Sequence, residues 1–218
     1  MEAGPPGGKK LRWPKVMLIS AGTGAPADRL VRLSRRARDA GIPLALQLRE
    51  KALPDSELLC QARRLVQAGD PAHNPVMVNG RLDVALAAGA AGVHLPARGV
   101  PLGRVRQAVG EALTVGVSTH SPEEVRSAVA GGADYILFGP VFATPSKAGM
   151  GQPQGLNGLR RAVEAAGSVP LLAVGGVTAE TAAACREAGA WGVAVIRALL
   201  EAGDLLATLR GLAGEQEQ

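Results

Sequence analysis

Aromatic side chains are almost missing from this chain: two Trp, one Tyr and two Phe among 218 residues. A core with so few rings has to be built from Leu, Val and Ala in close-packed layers. The same scarcity speaks against nucleic acid. The net charge is +5, but much of the excess lies on helix faces as Arg32, Arg35, Arg36 and Arg38, with no rings interleaved to stack bases. Cysteine is limited to Cys60 and Cys185, which have no metal or redox spacing and fall in expected helices, so buried reduced thiols are expected. No apolar run reaches membrane-spanning length, and Met1 to Lys10 lacks the apolar core of a signal peptide. The expectation is a soluble cytoplasmic protein with neither nucleic-acid nor membrane partners. Its single domain is expected over residues 14–213, between flexible tails at 1–13 and 214–218.

What is present is a series of short apolar runs. Eight read as strands: Val16 to Ser20, Leu44 to Arg49, Val76 to Asn79, Gly92 to Leu95, Leu113 to Ser118, Tyr135 to Gly139, Leu171 to Val174 and Gly192 to Ile196. Helix-period stripes separate them, such as Leu30, Leu33, Ala37 and Ala40, or Leu58, Leu59, Ala62, Leu65 and Val66. Ala88-Gly89-Ala90, Gly131-Gly132-Ala133 and Ala188-Gly189-Ala190 each carry a helix end into a strand, with glycine available for a left-handed stop. Repeated helix-stop-strand units describe βαβ construction, and about eight of them close into one α/β domain, a (β/α)8 TIM barrel. No Gly-x-Gly-x-x-Gly follows the first run, which speaks against an open doubly wound sheet. In a barrel the strand ends gather the chemistry on one face.

Lysine is the other scarcity. Only Lys9, Lys10, Lys15, Lys51 and Lys147 occur, and the last two both follow strands, where a compact ammonium can meet a phosphate or carboxylate. Thr144-Pro145-Ser146-Lys147 with Gly149, Gly151 and Gly155 makes a loop suited to an anion. Gly175-Gly176 after the seventh strand and Val195-Ile196-Arg197 at the eighth offer backbone N–H groups where barrels commonly bind phosphate. His120 precedes Ser121-Pro122-Glu123-Glu124, an N-cap, a first-turn proline and a capping-box glutamate. A helix N-terminus favours neutral imidazole, able to accept a proton. His94 has a less telling context, and His73 lies in a polar loop.

Six blocks occur in order between about Val16 and Leu200: Gln47-Leu48-Arg49-Glu50-Lys51, Val78-Asn79-Gly80-Arg81-Leu82-Asp83, Gly92-Val93-His94-Leu95, Gly116-Val117-Ser118-Thr119-His120-Ser121, Gly139-Pro140-Val141-Phe142 with Thr144-Pro145-Ser146-Lys147, and Ala173-Val174-Gly175-Gly176. Together they resemble the signature blocks of thiamine phosphate synthases and their TenI-like relatives. In the synthases, the resemblance implies, the first block and the asparagine hold an aminopyrimidine diphosphate. That makes Gln47, Arg49, Lys51, Asn79 and Ser118 substrate-binding candidates. It also implies Mg²⁺ on two aspartates, whose positions here read Gly80 and Gly99. Glycine supplies no hard oxygen ligand from a side chain. The half implied to hold thiazole phosphate is retained in Thr144, Pro145, Ser146, Lys147, Gly175, Gly176 and Ile196, while Arg197 stands where the synthases usually carry serine.

Asn79-Gly80-Arg81 and Pro96 are similar to the TenI-like thiazole tautomerases, whose chemistry requires no metal. The expectation is therefore a cofactor-free thiazole tautomerase of thiamine biosynthesis, acting on a small thiazole phosphate. His120 would be the catalytic acid and base, and Lys51 or Arg49 would face the substrate carboxylate. One alternative is a thiamine phosphate synthase with Mg²⁺ on Glu50 or Asp83. Another is a non-catalytic regulatory protein that binds a thiamine precursor. Related barrels imply a homodimer.

Overall fold

The structure is a computed structural model that describes residues 13–22, 27–144 and 152–215. Eight parallel strands form a closed barrel in chain order: β1 (Val16–Ile19), β2 (Ala45–Leu48), β3 (Val76–Asn79), β4 (Gly92–Leu95), β5 (Thr114–Thr119), β6 (Tyr135–Phe138), β7 (Leu171–Val174) and β8 (Gly192–Val195). The ring closes where Leu18 of β1 pairs with Val195 of β8. Helices α1 (Asp28–Asp39), α2 (Asp55–Ala68), α3 (Leu82–Ala88), α4 (Leu102–Val109), α5 (Pro122–Ala130), α6 (Gly155–Ala166), α7 (Ala179–Glu187), α8 (Arg197–Leu200) and α9 (Leu205–Ala213) follow the strands. The expected TIM barrel is present. Among the described residues, no helix is long and apolar enough to cross a membrane.

Alternation along each strand divides the core in two. Outward residues such as Leu46, Leu48, Val93 and Ile136 pack with helix residues Leu58, Ala62 and Leu65 into the larger layer. Inward residues Met17, Ile19, Ala45, Met77, Tyr135, Leu137, Leu172 and Ala194 fill the barrel itself. Trp13 closes the amino-terminal end, stacked on Tyr135 at 4.1 Å between ring centroids. It had been expected in the flexible tail, yet it is buried and belongs to the inner cluster, because the barrel floor needs a large side chain. Lys15 places its ammonium 3.7 Å over the Trp191 ring, and Trp191 Nε1 donates to the Trp13 carbonyl.

Two further expectations need correction. Cys185 is buried, but Cys60 is exposed. It sits two residues from Leu58, about 200° around the helix from the stripe that faces the barrel. Ala40, expected on the α1 stripe, caps that helix and is exposed.

Candidate active site at the barrel mouth

The carboxyl ends of the strands form a mouth with two chemically different sides. On the first, Gly175 and Gly176 leave β7 with φ of +93° and +66°. A Cβ on Gly175 would stand 2.6 Å from Pro140, and one on Gly176 would stand 2.6 Å from the Ala143 carbonyl oxygen. Only glycine lets the chain turn here against the segment leaving β6. Among the described residues, the N–H groups of Gly175, Gly176 and Ile196 donate no backbone hydrogen bond. They are therefore available to an anion. With Thr144, Thr178 and exposed Arg197 they line a cavity of about 610 Å³.

The other side is built from inward-facing polar groups. Gln47 Nε2 donates to Asn79 Oδ1 at 3.0 Å, while Gln47 Oε1 is buried with no partner among the described residues. Ser118, half-buried two positions above Gly116 on the inner face of β5, lies 2.8 Å from His94 Nε2. His94 is fully buried, and its Nδ1 lies 2.8 Å from the Tyr135 hydroxyl. Burial pushes this imidazole down to about 3, so it is neutral at physiological pH.

His120 stands immediately after β5 and is half-buried. Its Nδ1 donates to the Gly139 carbonyl oxygen, so the neutral ring keeps its lone pair on Nε2. The expected cap is present in altered form. Ser121 Oγ accepts from the Glu124 N–H at 3.2 Å, but Glu124 Oε2 accepts from the N–H of His120, one residue before the cap. His73 is an exposed loop residue bonded to Asp70, as its polar setting suggested.

The β2 block spreads along the rim. Arg49 is half-buried and its N–H donates to Ser20 Oγ at 2.8 Å, Glu50 Oε1 accepts from the Gly22 N–H at 3.1 Å, and Lys51 is an exposed turn residue. Pro145, Ser146 and Lys147 lie outside the described residues. The structure thus gathers Thr144, Gly175, Gly176, Ile196 and Arg197 in one cavity. Gln47, Arg49, Lys51, Asn79 and Ser118 do not line it. Sequence reasoning passed over His94 and Tyr135 as site residues. The available signal was the alternation of β4, which turns Gly92 and His94 inward and Val93 and Leu95 outward.

Residues 16–199 match the family model described as TMP-TENI, thiamine monophosphate synthase. The chain belongs to this family. A thiamine-phosphate synthase of Moorella thermoacetica is 40% identical over 197 residues, spanning 90% of this chain and 91% of the relative. One of Methanoculleus marisnigri is 43% identical over 180 residues, 83% of this chain and 84% of that one. Among solved structures, thiamine phosphate pyrophosphorylase from Pyrococcus furiosus superposes with a TM-score of 0.78 at 30% identity, covering 94% of this chain and 95% of its own. A 3-hexulose-6-phosphate synthase, at 23% identity and a TM-score of 0.67, shares the fold. This thiamine monophosphate synthase family member is thereby placed among the enzymes of thiamine biosynthesis.

The tautomerase expectation is overturned by these relatives. It rested chiefly on two missing side chains, Gly80 and Gly99, whereas similarity over nine-tenths of both chains reflects the whole barrel and mouth. With it goes the argument that the chemistry needs no cofactor. The magnesium that the resemblance implies, however, meets a poor donor set in this family member. Among the described residues, no three His, Cys, Asp or Glu side chains gather as a metal site. Asp83 is engaged by Arg81 through bonds of 2.9 and 2.7 Å, and the guanidinium holds its carboxyl down to about 2. Glu50 is tied to Gly22. The residues present do not fit a two-aspartate magnesium site.

Proposed function

We propose that this protein is a thiamine-phosphate synthase, a transferase that couples an aminopyrimidine diphosphate with a thiazole phosphate. The observation that carries the reading is the 40% identity, along nine-tenths of both chains, to a protein named for that activity. The two-sided mouth supports it. Gly175, Gly176, Ile196, Thr144 and Arg197 would grip the monophosphate ester, with Pro145, Ser146 and Lys147 completing that side. Gln47, Asn79 and Ser118 would hold the aminopyrimidine, whose exocyclic amine suits the Gln47 oxygen that has no partner among the described residues.

The reaction breaks the bond between the pyrimidine's methylene carbon and the diphosphate oxygen, and the leaving diphosphate keeps the electron pair. The thiazole nitrogen lone pair forms the new carbon–nitrogen bond. Holding the two rings from opposite sides of one mouth supplies the orientation such a displacement needs. Arg49 and Lys51 would meet the charge of the departing diphosphate, since the side chains at positions 80 and 99 offer no oxygen. Coupling needs no proton lifted from carbon, so His120 would serve as a hydrogen-bonding group at the rim rather than as acid and base.

Expression in a thiamine-requiring bacterium that lacks its own synthase tests this. Growth without thiamine is the expected result. Failure to grow, with the protein present and soluble, would overturn the proposal.

A further inference from the structure

Three side chains stand in series beneath the polar side of the mouth: Ser118, His94 and Tyr135, joined by two contacts of 2.8 Å. A neutral imidazole has one N–H and one lone pair, so the two hydrogen bonds must run in the same direction along the series. Burial keeps this ring neutral, which removes the arrangement in which both nitrogens donate. Two arrangements remain. In the first, His94 Nδ1–H donates to Tyr135, and Nε2 accepts from Ser118. The Tyr135 hydroxyl hydrogen then has nowhere to go, because the residue is fully buried and, among the described residues, its oxygen has no hydrogen-bond partner besides His94. A buried donor left unsatisfied is costly. In the second, the Tyr135 O–H donates to Nδ1, His94 Nε2–H donates to Ser118 Oγ, and every hydrogen in the buried part of the series is used.

We infer that His94 is a positioning residue: held by Tyr135 as the Nε2–H tautomer, it donates to Ser118 Oγ and so frees the Ser118 hydroxyl hydrogen to point into the mouth. Ser118 can then donate to a lone pair on the substrate, as on a ring nitrogen of an aminopyrimidine, which it could not do with its hydrogen spent on His94. The direction is set from below. Tyr135 is immobilised by its stack on Trp13 and is fully buried, so the series is directed from its buried end and not from half-buried Ser118 at the mouth. This inference rests on the proposed synthase reading only in taking Ser118 to touch the aminopyrimidine.

The tautomer is read without turnover, by ¹⁵N NMR of protein labelled in its histidine rings, with the His94 signals assigned through their loss in His94→Gln. The expected result is a protonated Nε2 and an unprotonated Nδ1, unchanged from pH 5 to 8. A proton on Nδ1, or an averaged pair of shifts, would overturn the inference. Kinetics give the second arm. The amide of His94→Gln can still donate to Ser118 and should keep kcat/KM within about tenfold, whereas His94→Leu should lose about a hundredfold. In a Ser118→Ala background, His94→Leu should cost no more than about twofold further, because both changes remove one interaction. An equal loss in both backgrounds would make His94 a packing residue only. If the wild-type protein forms no thiamine phosphate, the synthase reading fails, and the NMR result still decides the tautomer.

Discussion

Gly116 and Tyr135 are paired across β5 and β6 and share one space: a Cβ on Gly116 would lie 2.0 Å from the ring carbon that bears the Tyr135 hydroxyl. The missing side chain is what allows the phenol to cross the barrel and reach His94. Gly116→Ala should therefore overpack the inner layer and destabilise the fold by about 3 kcal/mol, measured by urea unfolding. Gly89→Ala is the control, since nothing lies within 4 Å of its Cβ position, and its left-handed φ and ψ of +67° and +32° should cost only about 1 kcal/mol.

Acid should weaken the fold through His94. Its folded-state value, about 3, lies below the ordinary 6.5, so between those limits the unfolded chain binds the extra proton. Stability from this group is complete above about pH 6.5 and is lost as pH falls toward 3, at up to about 1.4 kcal/mol per pH unit. Unfolding free energies measured from pH 7 to 4 should show a steeper decline in wild type than in His94→Gln, whose amide does not titrate.

The proposed phosphate side depends on the diglycine turn. Gly176→Ala would bring a methyl group within 2.6 Å of the Ala143 carbonyl and 2.7 Å of Phe142. The turn has to shift, taking its N–H groups with it. Calorimetric titration with the thiazole phosphate should show affinity reduced by about tenfold or more, equivalent to about 1.4 kcal/mol.

Gln47 should reveal a stability–function exchange. Its Oε1 is buried without a partner among the described residues, so an apolar replacement removes an unsatisfied acceptor, and half-buried Asn79 can turn to water. Gln47→Leu should leave stability within about 1 kcal/mol of wild type or raise it, while weakening aminopyrimidine binding about tenfold. Paired denaturation and binding curves check both halves.

Much of this architecture is readable along the chain, since apolar runs such as Val76–Asn79 and Leu171–Val174 are short, buried on both faces and bounded by helix stops. The diglycine turn itself was likewise visible, because two adjacent glycines follow the seventh strand. His94 was not. Its partners lie 24 and 41 residues away, and only closure of the barrel shows that β4, β5 and β6 aim three side chains at one another. Trp13 was missed for a related reason: a ring near the chain start looks like tail until the barrel floor is seen to need it. Gly80 and Gly99 misled in the opposite sense, as two absent carboxylates were allowed to stand for the whole mouth.

Coupling by the purified protein is the most direct test of the account. Aminopyrimidine diphosphate and thiazole phosphate are supplied together, with magnesium and with a chelator, and thiamine phosphate and diphosphate are quantified. The account predicts that the two products form in equal amounts and only when both substrates are present. Binding of both substrates with no thiamine phosphate formed in either condition would contradict it.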